Sequence, residues 1–257
     1  VSAEQLQIVS LAQRVAHECL APRAEHYDKA CVHPRESWHD LWENGFLAAA
    51  VPKEYGGLGL DMPTYCMVME KLAGGCTSTA MTAHMHSTVM RFINALGTDQ
   101  QKCRYFSEVV KQGKLFGSWG SEPESRGGSV HRQTTIARSG EGYVIDGEKH
   151  FCTMAGGAHR YMIHCSLEGA DPEQALLLAL APHGNPGLNI IGDWNTLGMR
   201  ATISPSVSFE GCYIDNQDVL GEAGQSQQLG VGLAFGLGYS AVYLGAAQAA
   251  LDYTVEY

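Results

Sequence analysis

The hydrophobic period of this chain changes once, near Leu115, and that change limits the folds open to it. Upstream, apolar residues recur at helical steps of three and four; downstream they fall in short runs separated by turn residues. No strand–helix–strand alternation follows, so a doubly wound nucleotide-binding sheet is disfavoured and an α+β class is expected.

The helical part can be followed element by element. Ser2 and Gln5 make a capping box, after which Ile8, Leu11, Ala12, Val15 and Cys19 share one face. A second short helix carries Trp38, Leu41 and Trp42 and stops at Gly45. Gly56, Gly57 and Gly59 then forbid regular structure and predict a tight loop. Pro63 suits the first turn of a helix with Tyr65, Met69 and Leu72 on one stripe. Met81, Met85, Val89 and Ile93 make another stripe ending at Gly97, and Thr98 or Asp99 caps a helix running through Phe106 to Gly113. An all-α domain over 1–113 is predicted.

A middle β domain over 114–224, a small barrel or sandwich, is predicted from strand-like runs at Thr134–Arg138, Gly142–Thr153, Tyr161–Cys165, Ala175–Ala181 and Val207–Ile214. Asp146-Gly147 predicts a type I′ hairpin turn dividing the second run into two short strands. Leu237, Ala241, Leu244, Gln248, Leu251 and Val255 then predict an apolar helical stripe over 225–257, the start of a C-terminal helical bundle. The pattern is still running at Tyr257, which predicts a longer protein.

Composition removes several functions. The formal net charge is −10 with no Lys/Arg cluster, which argues against nucleic acid as a partner. Eight cysteines contain no CxxC pair, so neither zinc nor a disulfide framework is indicated. No apolar run has the length of a membrane span, and a soluble, cytoplasmic chain with no membrane partner is expected.

The candidate chemistry centres on Leu115–Thr153. Small residues from Ser118 to Ser129 let backbone approach a flat polar cofactor, with the Ser121 hydroxyl and nearby N–H groups as contacts; an ordinary surface loop fits the same pattern. Phe151 and Thr153, two apart on a predicted strand, would face the same side and offer stacking plus a hydrogen bond. Cys152 between them reads as a packed thiol. His84 and His86 point apart on a helix and cannot chelate one ion, so they read as helix-surface or interface residues. Arg200 follows a glycine and either reaches a phosphate or carboxylate or makes a structural ion pair.

Taken together these segments resemble the acyl-CoA dehydrogenase family of flavoproteins. Val51-Pro52-Lys53-Glu54-Tyr55-Gly56-Gly57-Leu58-Gly59, Ser121-Glu122-Pro123, Gly142-Tyr143-Val144-Ile145-Asp146-Gly147-Glu148-Lys149-His150-Phe151-Cys152-Thr153 and Leu197-Gly198-Met199-Arg200 carry the likeness, in family order and spacing. The resemblance implies FAD contacted by Ser118, Gly120, Ser121, Phe151, Cys152 and Thr153, with Thr153 near flavin N5. It also implies α,β-dehydrogenation of an acyl-CoA, with α-proton removal and hydride transfer to the flavin. A homo-oligomer, dimer or tetramer, is implied, with an electron-transfer flavoprotein or a flavin reductase as redox partner. A cytoplasmic or, in a eukaryote, mitochondrial matrix setting goes with it. Gly127 stands where the family places a substrate-contacting Ser, so the usual ligand contact is lost. No catalytic residue is assigned: one of the family's two locations for the basic Glu falls at about Phe235 and the other beyond Tyr257. A flavin-dependent monooxygenase on the same fold, or a non-catalytic binding remnant, are the competing expectations.

Overall fold

The computed structural model describes residues 1–123 and 132–256. Helices come first. Helix α1 (Ala3–Val15) starts on the Ser2–Gln5 capping box and passes through a π turn, Ala16–Leu20, into α2 (Ala21–Ala30). The sequence pattern gave no sign of α2, whose Pro22 sits harmlessly in its first turn. It ends at Cys31 in the left-handed region. Next come α3 (Arg35–Glu43), α4 (Met62–Gly75), α5 (Thr77–Leu96) and α6 (Asp99–Gln112). Asp61 caps α4, and Thr98 rather than Asp99 caps α6 in a second capping box. The stripes Tyr65/Met69/Leu72 and Met81/Met85/Val89/Ile93 are buried as expected.

The strands are β1 (Phe116–Trp119), β2 (Thr135–Ser139), β3 (Gly142–Lys149), β4 (Arg160–Leu167), β5 (Leu176–Pro182), β6 (Leu188–Ile191), β7 (Ser206–Asp215) and β8 (Val219–Leu220). They form one sheet in the order β6-β7-β3-β2-β4-β5-β8, with β1 pairing β4 in parallel. The path runs from β6 to β8 without closing, so the middle region is an open sheet rather than a closed barrel. Its interior is filled by Trp119 stacked on Tyr161, with ring centroids 4.0 Å apart.

Asp146-Gly147 makes no hairpin. Strand β3 is continuous through both residues, and the irregularity is a bulge against β7 between Ile145 and Gly147. Gly147, at φ 135°, is where β3 passes closest to Thr134; a Cβ there would lie 2.7 Å from the Thr134 Cα. The Asp146 carboxylate accepts the Gly211 N–H at 2.7 Å, tying the bulge to β7. The β2–β3 connection falls instead at Gly140–Glu141.

After a short α7 (Gln225–Gln228), α8 (Leu233–Glu256) docks on α4 and α5. Its buried face is Gly238, Ala241, Val242 and Gly245. Of the predicted stripe only Ala241 is buried; Leu237, Leu244, Leu251 and Val255 are exposed. Small residues face inward because the neighbours come very close: a Cβ on Gly245 would sit 2.1 Å from the Glu70 carbonyl oxygen. Among the described residues, no helix is long and apolar enough to cross a membrane.

Candidate functional site

The site is positioned from α5. His86, fully buried at mid-helix, accepts the Phe116 N–H on Nδ1 at 3.0 Å and donates from Nε2 to the Leu47 carbonyl at 3.0 Å. Both nitrogens are thus spent on a neutral ring, and burial pushes its pKa down to about 4. The result is a fixed origin for β1. His84 is buried too. Its Nδ1 meets the Tyr65 hydroxyl at 2.9 Å and its Nε2 the Phe235 carbonyl at 3.0 Å, while its ring stacks on Phe235. The expectation of surface histidines is therefore corrected. Their polar atoms are satisfied inside the fold, which is what lets a helix bury them.

From His86 the chain runs along β1 to Ser118, half-buried Gly120 and exposed Ser121. Here the second segment, Phe151–Thr153, is brought alongside by three contacts. The His150 N–H donates to the Ser121 carbonyl at 2.9 Å. The Trp119 indole N–H donates to the Thr153 carbonyl at 3.0 Å. Between them lies an ion pair, Lys149 Nζ to Glu122 Oε1 at 2.5 Å, with side chains 0% and 2% exposed. The Glu122 carboxylate also accepts the N–H groups of Gln133 and Thr134 at 2.8 and 3.0 Å. Burial alone would raise that carboxyl; the Lys149 ammonium and the two N–H donors outweigh it and hold it below the usual carboxylate range. The Glu of Ser-Glu-Pro and the Lys of Gly-Glu-Lys-His are thus partners, a pairing that the sequence reading missed.

Phe151, Cys152 and Thr153 lie in a turn beyond β3, so the two side chains expected to face one way do not. Phe151 is left-handed at φ 53° and stands 66% exposed, with Trp194 edge-on at 6.2 Å. Thr153 donates its N–H back to the Phe151 carbonyl, and its side chain is buried. The Cys152 thiol is buried and burial pushes its pKa up, which leaves it a packed, protonated group. Behind Thr153 the hydroxyls of Ser204 and Thr202 are also buried: Ser204 Oγ lies 3.1 Å from Thr153 Oγ1 and 2.9 Å from Thr202 Oγ1.

Two expectations fall elsewhere. Arg200 donates to the Asp28 carbonyl, the Asn195 side chain and the Thr196 carbonyl, which pins its loop to the end of α2. Its backbone N–H also donates to the Asp28 carboxylate at 3.3 Å, a further tie between the loop and α2. Gly127 lies outside the described residues. A cleft of about 1210 Å³ opens between α6 and the sheet, lined by Thr98, Gln101, Arg104, Arg138, Tyr143 and Tyr213 among others; it shares no residue with Ser118–Ser121 or Phe151–Thr153. Among the described residues, no group of three or more His, Cys, Asp or Glu could hold a metal.

The residues present fit a flat, partly polar cofactor. The Ser118–Ser121 and His150–Thr153 segments are brought together by the His150 N–H on the Ser121 carbonyl and the Trp119 indole on the Thr153 carbonyl, with an exposed aromatic at Phe151 and small residues at Ser118, Gly120 and Ser121. A helical layer packed on an open β-sheet, clamped at this point, defines the class. The chain belongs to the acyl-CoA dehydrogenase family: the family's N-terminal domain profile matches residues 2–113 and its middle domain profile residues 117–212. It is 29% identical over 248 residues to the mitochondrial short-chain specific acyl-CoA dehydrogenase of Rattus norvegicus, covering 94% of this chain and 60% of that protein. It is 30% identical over 261 residues to dibenzothiophene monooxygenase of Rhodococcus erythropolis, covering 97% and 61%. Among solved structures, TdsC from Paenibacillus sp. A11-2, in complex with FMN and indole, superposes with a TM-score of 0.86 at 25% identity, covering 97% of this chain and 64% of that one. The chain thus spans about three fifths of the length of these curated relatives.

Proposed function

We propose that this chain is the flavin-holding part of an FAD-dependent oxidoreductase that introduces an α,β double bond into an acyl-CoA thioester. The observation that carries the reading is the convergence of Ser118–Ser121 with Phe151–Thr153, held by the buried Glu122–Lys149 pair. In this reading Ser118, Gly120 and Ser121 hold the polar edge of the flavin. Phe151 supplies the stacking plane, Cys152 packs beneath it, and the Thr153 hydroxyl faces N5. Gly127 stands on the substrate side. A bound flavin would supply the acceptor for the electron pair leaving the substrate. The chain's own residues fix the ring's position, exclude water from the Thr153 side and keep a hydroxyl at N5.

Removal of an α-proton requires a carboxylate base. Phe235, at one of the two positions where the resemblance expects it, is an aromatic stacked on His84, so this reading takes the base from another segment. The reading includes domains over 1–113, 114–224 and 225–257, a dimeric or tetrameric homo-oligomer, and an electron-transfer flavoprotein or flavin reductase as redox partner. It also places the protein in the cytoplasm or, in a eukaryote, in the mitochondrial matrix. A second reading is a flavin-dependent monooxygenase that receives reduced flavin; it is favoured by the near-equal identity to the Rhodococcus enzyme and to the rat dehydrogenase.

The full-length protein separates the readings. A flavin absorption band that bleaches anaerobically on adding butyryl-CoA or another acyl-CoA supports the dehydrogenase. No bleaching by any acyl-CoA, with oxygen consumption in the presence of reduced flavin, supports the monooxygenase. A colourless protein that ignores added FAD overturns both.

A further inference from the structure

His164, in the middle of β4, differs from the other shielded histidines in its hydrogen bonding. His33, His84, His86 and His150 are each wholly or partly shielded from solvent, and each is hydrogen-bonded. His164 makes no hydrogen bond or ion pair to any of the described residues, although its ring is only partly open to solvent. Burial pushes its pKa down to about 3, with the Lys149 and Arg132 charges adding to the effect, so the ring is neutral. A neutral imidazole has one N–H to give and one lone pair to fill. Both are unspent here, and a shielded polar group left unspent is costly.

Strand pairing places this ring. β1 runs parallel to β4, with Ser118 opposite Met162 and Trp119 opposite Ile163. Side chains alternate across a strand, so Trp119 and Ile163 share the face on which the indole stacks against Tyr161. Ser118, Gly120, Met162 and His164 share the other. Helix α5 packs on that second face, where Phe92 meets the His164 ring edge-on at 5.8 Å. At Gly120 the ring comes close: a Cβ built there would lie 3.6 Å from both Cγ and Nδ1 of His164. Gly120 has no side chain, so its backbone and the imidazole lie side by side, on the face that carries the Ser118 side chain.

We propose that His164 is a further contact residue of the cofactor site, hydrogen-bonding the polar half of a flat heterocycle seated against Gly120. The inference rests on the flavin reading given above. The pyrimidine half of a flavin carries carbonyl oxygens, ring nitrogens and an N–H, so it can satisfy the donor or the acceptor of the imidazole. Packing alone would need no nitrogen at this position, since a phenyl ring fills the same slot beside Phe92 and Gly120.

The test is FAD binding by the full-length apoprotein, followed by quenching of flavin fluorescence. His164→Phe keeps a flat ring and removes both nitrogens; it is expected to weaken FAD binding about tenfold, the loss of one hydrogen bond with its partner left unsatisfied. His164→Gln, which keeps a donor and an acceptor, is expected to stay within about threefold of the unaltered protein. Urea unfolding of the apoproteins gives the readout that separates contact from packing. His164→Phe is expected to be as stable as the unaltered apoprotein or more so, because no hydrogen bond within the fold is lost. A His164→Phe variant that binds FAD within about twofold of the unaltered protein, or no more weakly than His164→Gln, overturns the inference. If His164→Phe fails to fold, labelling of His164 by diethyl pyrocarbonate in the unaltered protein, read by mass spectrometry, decides instead. Labelling slowed by saturating FAD supports the contact, and an equal rate with and without FAD overturns it. A folded, unaltered protein that ignores FAD overturns the flavin reading together with this inference. One that binds FAD and is indifferent to His164→Phe overturns this inference alone.

Discussion

Removing the charge of Glu122 tests whether the buried pair is what holds the site together. Glu122→Gln keeps the shape and an acceptor, yet leaves the Lys149 ammonium fully enclosed without its counter-charge. Breaking one side of a buried pair costs about 3–5 kcal/mol, because the surviving charge is stranded away from water. For a domain of 150–250 residues each kcal/mol moves Tm by about 2–4 °C, so a loss of roughly 6–20 °C is expected. Lys149→Met should cost a similar amount by stranding the carboxylate. The double variant Glu122→Gln/Lys149→Met should recover much of the loss, since neither charge then remains buried. The pH profile carries a second signature. The folded-state pKa of Glu122 is depressed, so its stabilisation is present above the unfolded carboxylate value of about 4.3 and is lost as pH falls through the folded one. Glu122→Gln should flatten that acid limb. Urea unfolding of the four members of the cycle, read by circular dichroism at pH 7 and pH 4, gives both quantities. Two single variants that each lose under about 1 kcal/mol and add in the double would refute the reasoning.

His86 predicts a second acid limb at higher pH. Its folded pKa near 4 lies below its ordinary value, so the unfolded chain binds the extra proton first, and stability falls as pH drops from about 6.5 toward 4, by up to about 3 kcal/mol. His86→Gln should remove that slope in a pH-resolved urea series, at the cost of a lower plateau. In α8, Gly236→Ala meets open space and should stabilise by about 0.5–1 kcal/mol through helix propensity. Gly238→Ala places a Cβ 2.2 Å from the His84 ring, which two hydrogen bonds hold, and should cost about 1–3 kcal/mol; thermal melts of the pair decide it. Phe151→Ala should leave the flavin-free protein within about 0.5 kcal/mol, because the ring is exposed, while weakening FAD binding about tenfold in a fluorescence titration.

What the sequence made legible, and what it hid, follows from how far each signal reaches. Ser2–Gln5 spans three residues and its capping box forms as read; of the two caps expected for α6, Thr98 is the one used, in a box with Gln101 that was not foreseen. The stripes of α4 and α5 were readable because large apolar side chains there point at the core. In α8 the same periodicity pointed the wrong way. Leu237, Leu244 and Leu251 mark an apolar face exposed in this chain, whereas the docked face is Gly238, Ala241, Val242 and Gly245, its glycines required by the close His84 ring and Glu70 carbonyl. Asp146-Gly147 is chemically as apt for a bulge as for a turn, and pairing with β7, some sixty residues on, selects the bulge. The site divides the same way. Ser121-Glu122-Pro123 and Glu148-Lys149-His150-Phe151-Cys152-Thr153 could each be read as a motif, but not that one residue of each is consumed in holding the other. Nor could the row from Thr153 through Ser204 to Thr202 be seen, since its first bond crosses fifty-one positions. Single motifs point to the cofactor because its contacts are local. The contacts that hold it depend on long-range partners, and the Glu122–Lys149 pair and the hydroxyl row of Thr153, Ser204 and Thr202 exist only once the fold has brought them together.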